Sequence, residues 1–274
     1  MAALVMPHSR PATTNVPIGT SLWHARAAGI CVEISENGIV ANPINSLNRL
    51  ISCSLNPTVK GLVWNRGQNP LKEEIKAFTD QCLPDGNGMP FAYEQIDLRN
   101  SLSNRVDSVN TLCSKLVSKL PSPLRSALEA DALMLCSTLT SLCPSSPWLT
   151  VQLECVGHNN CSRWHQDMYI GRALISYTGP GTWLVDDRNV DFEMLEKTLG
   201  MTSEVSDRLI VPDRSKVHEA GTNSVCLLKG NSWMDIQGLG VTHKSPVVER
   251  DGEGRVREKR LVLKVDLSNT QPGI

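Results

Sequence analysis

Long apolar runs are missing from this chain of 274 residues. None approaches the ~20 residues that a membrane-spanning helix needs, so no partnership with a bilayer is expected. Charge of one sign is also missing. The net charge is −1, and Lys and Arg nowhere gather into a stripe. The nearest approach, Arg250, Arg255, Arg257, Lys259 and Arg260, is interleaved with Glu249, Asp251, Glu253 and Glu258. That pattern reads as a solvated loop and argues against a nucleic-acid footprint. Aromatic residues are scarce at 4%, although Trp alone supplies six of them. The nine cysteines, Cys31, Cys53, Cys82, Cys113, Cys136, Cys143, Cys155, Cys161 and Cys226, include no CxxC pair. An odd, scattered set suits free thiols in a reducing, cytoplasmic setting better than a secreted disulfide framework. There is no GxGxxG, P-loop or GxSxG elbow, which removes the usual signals for dinucleotide binding, phosphate cradling and serine hydrolysis.

Before Glu33 the chain carries Ser, Thr, Ala and Arg but no acidic residue. This composition would permit an organellar transit peptide, while an ordinary ragged terminus is the plainer reading. Residues 1–20, with Pro7, Pro11 and Pro17, are expected to form a flexible arm. Residues 21–146 read as a helical and strand region that supports a barrel. In it, Leu71, Ile75, Phe78 and Cys82 share one helical face, and Val106, Val109, Leu112, Leu116 and Leu120 share another. A further helix runs from Leu124 to about Leu142, stopped by Pro144. Residues 147–270 change texture to short strands and turns: Trp148 to Gly157, Gly171 to Thr178, Gly181 to Val185, Leu209 to Pro212, Ser224 to Lys229 and a final strand from Arg260. Between them, Asp191 to Leu199 reads as an inserted helix ended by Gly200. The expectation is an α+β chain in which helices pack on the outside of an antiparallel jelly roll.

One stretch concentrates chemistry: Arg163-Trp164-His165-Gln166-Asp167-Met168-Tyr169. In extended backbone, residues two apart share a face, so His165 and Asp167 aim at one point and Gln166 faces away. An imidazole and a carboxylate are two thirds of the 2-His-1-carboxylate set that holds iron(II) and leaves other positions open. A third ligand has to come from elsewhere, and His243 follows 78 residues later. Alone, an HxD pair is more often a solvated His–Asp contact.

The ordered set of HxD, a distant His and a basic residue on the next strand resembles the iron(II)- and 2-oxoglutarate-dependent dioxygenases. The resemblance covers roughly residues 148–267. It implies a cupin-like double-stranded β-helix, with His165, Asp167 and His243 as metal ligands and catalytic residues. It further implies Arg260 as the partner of the cosubstrate's distal carboxylate, with Lys259 a weaker candidate. Cys161-Ser162-Arg163-Trp164-His165-Gln166-Asp167, Tyr177-Thr178-Gly179-Pro180-Gly181-Thr182, Leu228-Lys229-Gly230-Asn231-Ser232-Trp233 and His243-Lys244-Ser245-Pro246 look like an uncharacterised domain-of-unknown-function family with the same layout. Tyr177 and Arg172 are further cosubstrate candidates, and Arg163, Tyr169 and Trp233 are others to test.

The resemblance implies Fe(II) and 2-oxoglutarate as cofactors, dioxygen as a reactant, and a small-molecule or side-chain substrate. Two other readings stay open. Cys155, His158, Cys161 and His165 are spaced C-x2-H-x2-C-x3-H and could take zinc. A cupin-like barrel could also bind zinc or iron without turnover, since fold does not fix function.

Overall fold

The computed structural model describes residues 29–35, 38–44, 47–82, 90–100, 104–156, 161–234, 236 and 239–272. The expected arm over 1–20, and His8, His24 and His158, lie outside them. The chain runs β1 (Gly29–Ser35), β2 (Gly38–Ile44), α1 (Leu47–Ser54), β3 (Val59–Trp64), α2 (Lys72–Cys82), β4 (Pro90–Asp97), α3 (Arg105–Leu116) and α4 (Ser122–Leu142). It continues with β5 (Trp148–Val156), β6 (Gly171–Ser176), β7 (Trp183–Val185), α5 (Phe192–Lys197), α6 (Ser203–Ile210), β8 (His218–Glu219), β9 (Val225–Lys229), β10 (Thr242–Lys244) and β11 (Arg260–Ser268).

The strands form two antiparallel sheets. A large one has the order β2-β1-β3-β9-β6-β11-β5-β4, and a small one the order β10-β7-β8. Alternation along the strands assigns each face of the large sheet. Leu149, Val151, Leu153, Ala173, Ile175, Val225, Leu227, Leu261, Leu263, Val265 and Leu267 face α3 and α4, where Leu112, Leu116, Leu128, Leu135 and Leu139 meet them in the main core. The opposite face turns Val63, Leu174, Cys226, Leu228 and Val262 toward the small sheet, where Leu184 of β7 packs on them. The fold is thus three layers, helices on a large sheet on a small sheet, with mixed helix and antiparallel strand as expected.

The spacing of apolar residues locates most elements, because a strand buried on one side or a helix packed on one side must carry that period. Of the α3 face, Val106 alone is exposed. At α5 the Asp191 side chain accepts the Met194 N–H at 3.0 Å, and Gly200, with φ of +89°, lies just beyond. Two expectations need correction. Leu209 to Pro212 is not a strand: Leu209 and Ile210 close α6, an amphipathic turn too short to stand out by period. The HxD segment is not a continuous strand either, since only His165 makes a bridge, to His243. Strands β1 to β4, all before residue 147, occupy half of the large sheet, and among the described residues no helix is long and apolar enough to cross a membrane.

Candidate metal centre

His165 and His243 are brought together by backbone. The His165 N–H donates to the His243 carbonyl at 3.0 Å and the His243 N–H returns the bond at 3.0 Å. Directly paired residues put their side chains on one face, and the two rings stand 4.5 Å apart between centres. Their neighbours alternate to the other face, where Trp164 joins an outer apolar cluster and Lys244 lies over the Trp164 and Trp183 rings while pairing with Asp207. Gln166 faces away as alternation requires, donating to the Gly240 carbonyl at 2.9 Å. Asp167 returns to the histidine side. One ligand atom from each of His165, Asp167 and His243 lies within 4.8 Å of the other two, the one such group of three among the described residues.

Both imidazoles are held by the nitrogen that faces away from the cluster. His165 Nδ1 lies 2.8 Å from the Arg163 carbonyl, and His243 Nδ1 lies 3.1 Å from the Val241 carbonyl. A carbonyl can only accept, so each Nδ1 carries a proton and Nε2 is the ring nitrogen turned to the cluster. Those Nε2 atoms face Asp167: His243 Nε2 is 3.4 Å from Oδ2, and His165 Nε2 is 3.8 Å from Oδ1. Burial and the neighbouring His243 lower the His165 pKa to about 4, so the ring is neutral at neutral pH. Burial alone would raise the Asp167 carboxyl, but His243 and Arg172 outweigh it and hold the group ionised. A neutral imidazole, a second imidazole beside it and an ionised carboxylate are the donor types of a divalent-cation site.

The loop carrying Asp167 is fixed from below by Gly230-Asn231-Ser232. The Gly230, Asn231 and Ser232 N–H groups donate to the carbonyls of Ile170, Asp167 and Tyr169 at 3.0, 2.8 and 3.2 Å. A Cβ at Gly230 would lie 2.0 Å from the Tyr169 carbonyl oxygen, which is why glycine stands there.

Arg260, at the start of β11, turns into the cleft that His165 and His243 also line, with Cys161, Thr182 and Ser245 at its walls. It is 3% exposed, and its Nη2 donates to Ser176 Oγ at 3.1 Å. Its Nε is buried without a hydrogen-bond partner among the described residues. Burial draws its pKa down to about 10, which still leaves it charged at neutral pH. Gly179, at φ +67°, lets the Gly-Pro-Gly corner lie against the Arg260 stem, since a Cβ there would sit 2.6 Å from Arg260 Cγ.

Of the other candidates, Arg172 also lines this cleft and the rest lie elsewhere. Tyr177 is on the helix side of the large sheet, where its hydroxyl donates to Asp131 at 2.8 Å, because one step along the strand reverses the face. The Arg172 guanidinium is paired with two carboxylates of the protein, Asp266 and Asp167. Trp233 packs in the main core, Arg163 is tied to the Leu195 carbonyl and Thr198, and Tyr169 covers Arg172. Lys259 reaches outward to Asp80. Of the zinc alternative, Cys155 faces the helices beside Cys82, with its thiol pushed up to about 12 by burial. A larger cavity of about 660 Å³, between α6 and Trp164, contains none of the three clustered residues. The Arg172–Asp266 link escaped sequence reading, because its partners are 94 residues apart and neither belongs to a motif.

A family model described as Protein of unknown function (DUF1826) matches residues 47–266. No curated protein matches the chain. Among solved structures, the chain is similar to an N-substituted L-amino acid dioxygenase from Burkholderia ambifaria AMMD, at 8% identity over 90% of this chain and 97% of that one, TM-score 0.39. It is also similar to a full-length Neurospora crassa protein in complex with alpha-KG, at 11% identity over 62% of this chain and 46% of that one, TM-score 0.28. Identities and scores this low carry no argument about chemistry.

Proposed function

We propose a specific chemistry for this chain, which belongs to the family described as Protein of unknown function (DUF1826): an iron(II)- and 2-oxoglutarate-dependent oxygenase acting on a small-molecule or side-chain substrate. In this reading the two sheets are a cupin-like double-stranded β-helix, residues 147–270 carry the metal-binding core, and 21–146 supports it. The observation that carries the reading is Arg260. A buried guanidinium with an unused Nε, facing the same cleft as His165 and His243, is a costly arrangement unless an anion completes it. A module that only stored a metal would need no such group.

The residues fit iron(II): His165, Asp167 and His243 would hold it from one side. When bound, the metal supplies the activation of dioxygen and the oxidising chemistry, which the protein itself lacks. What the chain contributes is placement. Arg260 would grip the distal carboxylate of the cosubstrate with a charge-assisted pair, fixing its other end toward the histidines. Val156, Leu174 and Val262 line the cleft and limit water there. The Arg163 and Val241 carbonyls hold a proton at Nδ1 of His165 and His243 and so orient Nε2 of each ring toward the metal position.

Purified protein loaded with Fe(II) is expected to convert 2-oxoglutarate to succinate, slowly without substrate and faster with it. His243→Ala should abolish turnover. Arg260→Ala should raise the KM for 2-oxoglutarate at least ~100-fold, the loss of a charged pair worth about 3 kcal/mol. Tight zinc binding with no consumption of 2-oxoglutarate would instead establish a non-catalytic metal-binding protein.

A further inference from the structure

The Arg172 guanidinium spans two carboxylates. Its Nη1 lies 2.9 Å from Asp167 Oδ2, while Nε and Nη2 grip Asp266 at 2.6 and 3.1 Å. The Tyr169 ring covers its face, with the guanidinium carbon 4.9 Å from the ring centre. Arg172 on β6 and Asp266 on β11 are direct partners in the ladder, so the fork is anchored in the middle of the large sheet. Asp167 has no such anchor. It sits in a loop outside any strand, and the groups that act on its carboxylate are Arg172 and the two histidines.

Two consequences follow from this geometry. The Arg172 and Asp266 charges cancel, so a cation arriving at Asp167 meets a donor without a net added charge. An oxygen already contacted by a guanidinium is also not free to join its twin on a metal, and a carboxylate bound through one oxygen consumes one coordination position instead of two. We infer that Arg172 and Asp266 are positioning residues that hold Asp167 as a one-oxygen metal ligand and so keep coordination positions open for cosubstrate and dioxygen. This inference rests on the metal-centre reading above and goes beyond it, in giving Arg172 to the ligand and not to the cosubstrate.

The test uses the full chain, freed of metal and titrated with Co(II) alone. The readouts are the dissociation constant and the visible ligand-field absorption, whose intensity falls as coordination number rises. Arg172→Met with Asp266→Asn removes one charge of each sign, so a change in binding reports position and not net charge. The double variant is expected to bind Co(II) ~10–100-fold more weakly, the usual effect of losing the group that orients a ligand. Its absorption should weaken as Asp167 turns to offer both oxygens. Arg66→Met breaks a comparably buried ion pair on the far side of the sheet and should change neither readout. If the folded double variant keeps the wild-type constant and spectrum, the inference is overturned while the metal centre stands. If wild-type protein binds no Co(II), or His243→Ala binds it equally well, the metal centre and the inference fall together. Should the double variant not fold, Arg172→Lys decides by the same readouts. It keeps the charge and loses the fork, with a ~10-fold weakening expected and wild-type behaviour overturning the inference.

Discussion

A proton on His165 is disfavoured first by burial and then by the adjacent His243, which lowers its pKa from 6.5 to about 4. The sign of the consequence is fixed by linkage. Between those two values the unfolded chain binds this proton and the folded chain does not, so folding stability rises with pH across that window. The contribution is fully present above 6.5 and is lost as pH falls toward 4. For metal-free protein it amounts to about 2 kcal/mol between pH 7 and pH 5. Urea midpoints of wild type and His165→Gln at the two pH values check this. The variant should lose about 2 kcal/mol less on acidification, and an unchanged difference would remove the assignment. At the same scale, Arg260 and Arg172 show why residue type does not reveal role. Both are buried arginines on the cleft face of the sheet, yet one is saturated by Asp266 and Asp167 while the other has an unused donor.

Among the elements, the turn after β9 has the most direct effect on the site. Gly230, Asn231 and Ser232 donate three backbone bonds to the 167–170 loop, and Ser232 Oγ adds a fourth to the Met168 carbonyl at 2.9 Å. A methyl at Gly230 would meet backbone and not a flexible side chain, so the loop itself must move. Gly230→Ala is therefore expected to cost about 1–3 kcal/mol of stability, as overpacking does, and to weaken Co(II) binding in the protein that remains folded. Gly252→Ala, where an added Cβ meets nothing within 4 Å, should do neither. Equal metal binding by both variants would show that this turn does not set the position of Asp167. The Gly-Pro-Gly corner plays the matching part for Arg260, through Gly179 against the Arg260 stem and Thr178 Oγ1 donating to the Lys259 carbonyl at 3.1 Å.

Across the whole molecule, the large sheet separates two jobs. Its helix face carries the main core and one buried polar knot, in which Arg66 pairs with Asp131, Tyr177 donates to Asp131, and Asn223 accepts from Arg66. Its cleft face carries the charged groups near the metal centre. Arg66→Met would leave Asp131 buried without its cation, at a cost of about 3–5 kcal/mol. Because the damage is on the helix face, the Co(II) affinity of the folded fraction should be unchanged. Thermal unfolding paired with metal titration measures both, and a parallel loss of affinity would mean that the two faces are coupled.

The local elements were legible in the sequence because their residues are adjacent in the chain: α3 and α4 from Leu and Val spacing, β5 from alternation, β11 from its run of strand-forming residues, α5 from Asp191 and Gly200. His165, Asp167, His243 and Arg260 were legible as an ordered set, and it was the resemblance of that order to the dioxygenases that suggested their convergence. Tertiary structure decided which side of the large sheet each strand residue takes. That placed Tyr177 among the helices, committed Arg172 to Asp266, and left Arg260 with an unused donor in the cleft. Period-2 alternation tells which residues share a face, but not which face is the core and which the cleft. That choice is made by what packs above and below the sheet, and those partners come from segments far away in the chain.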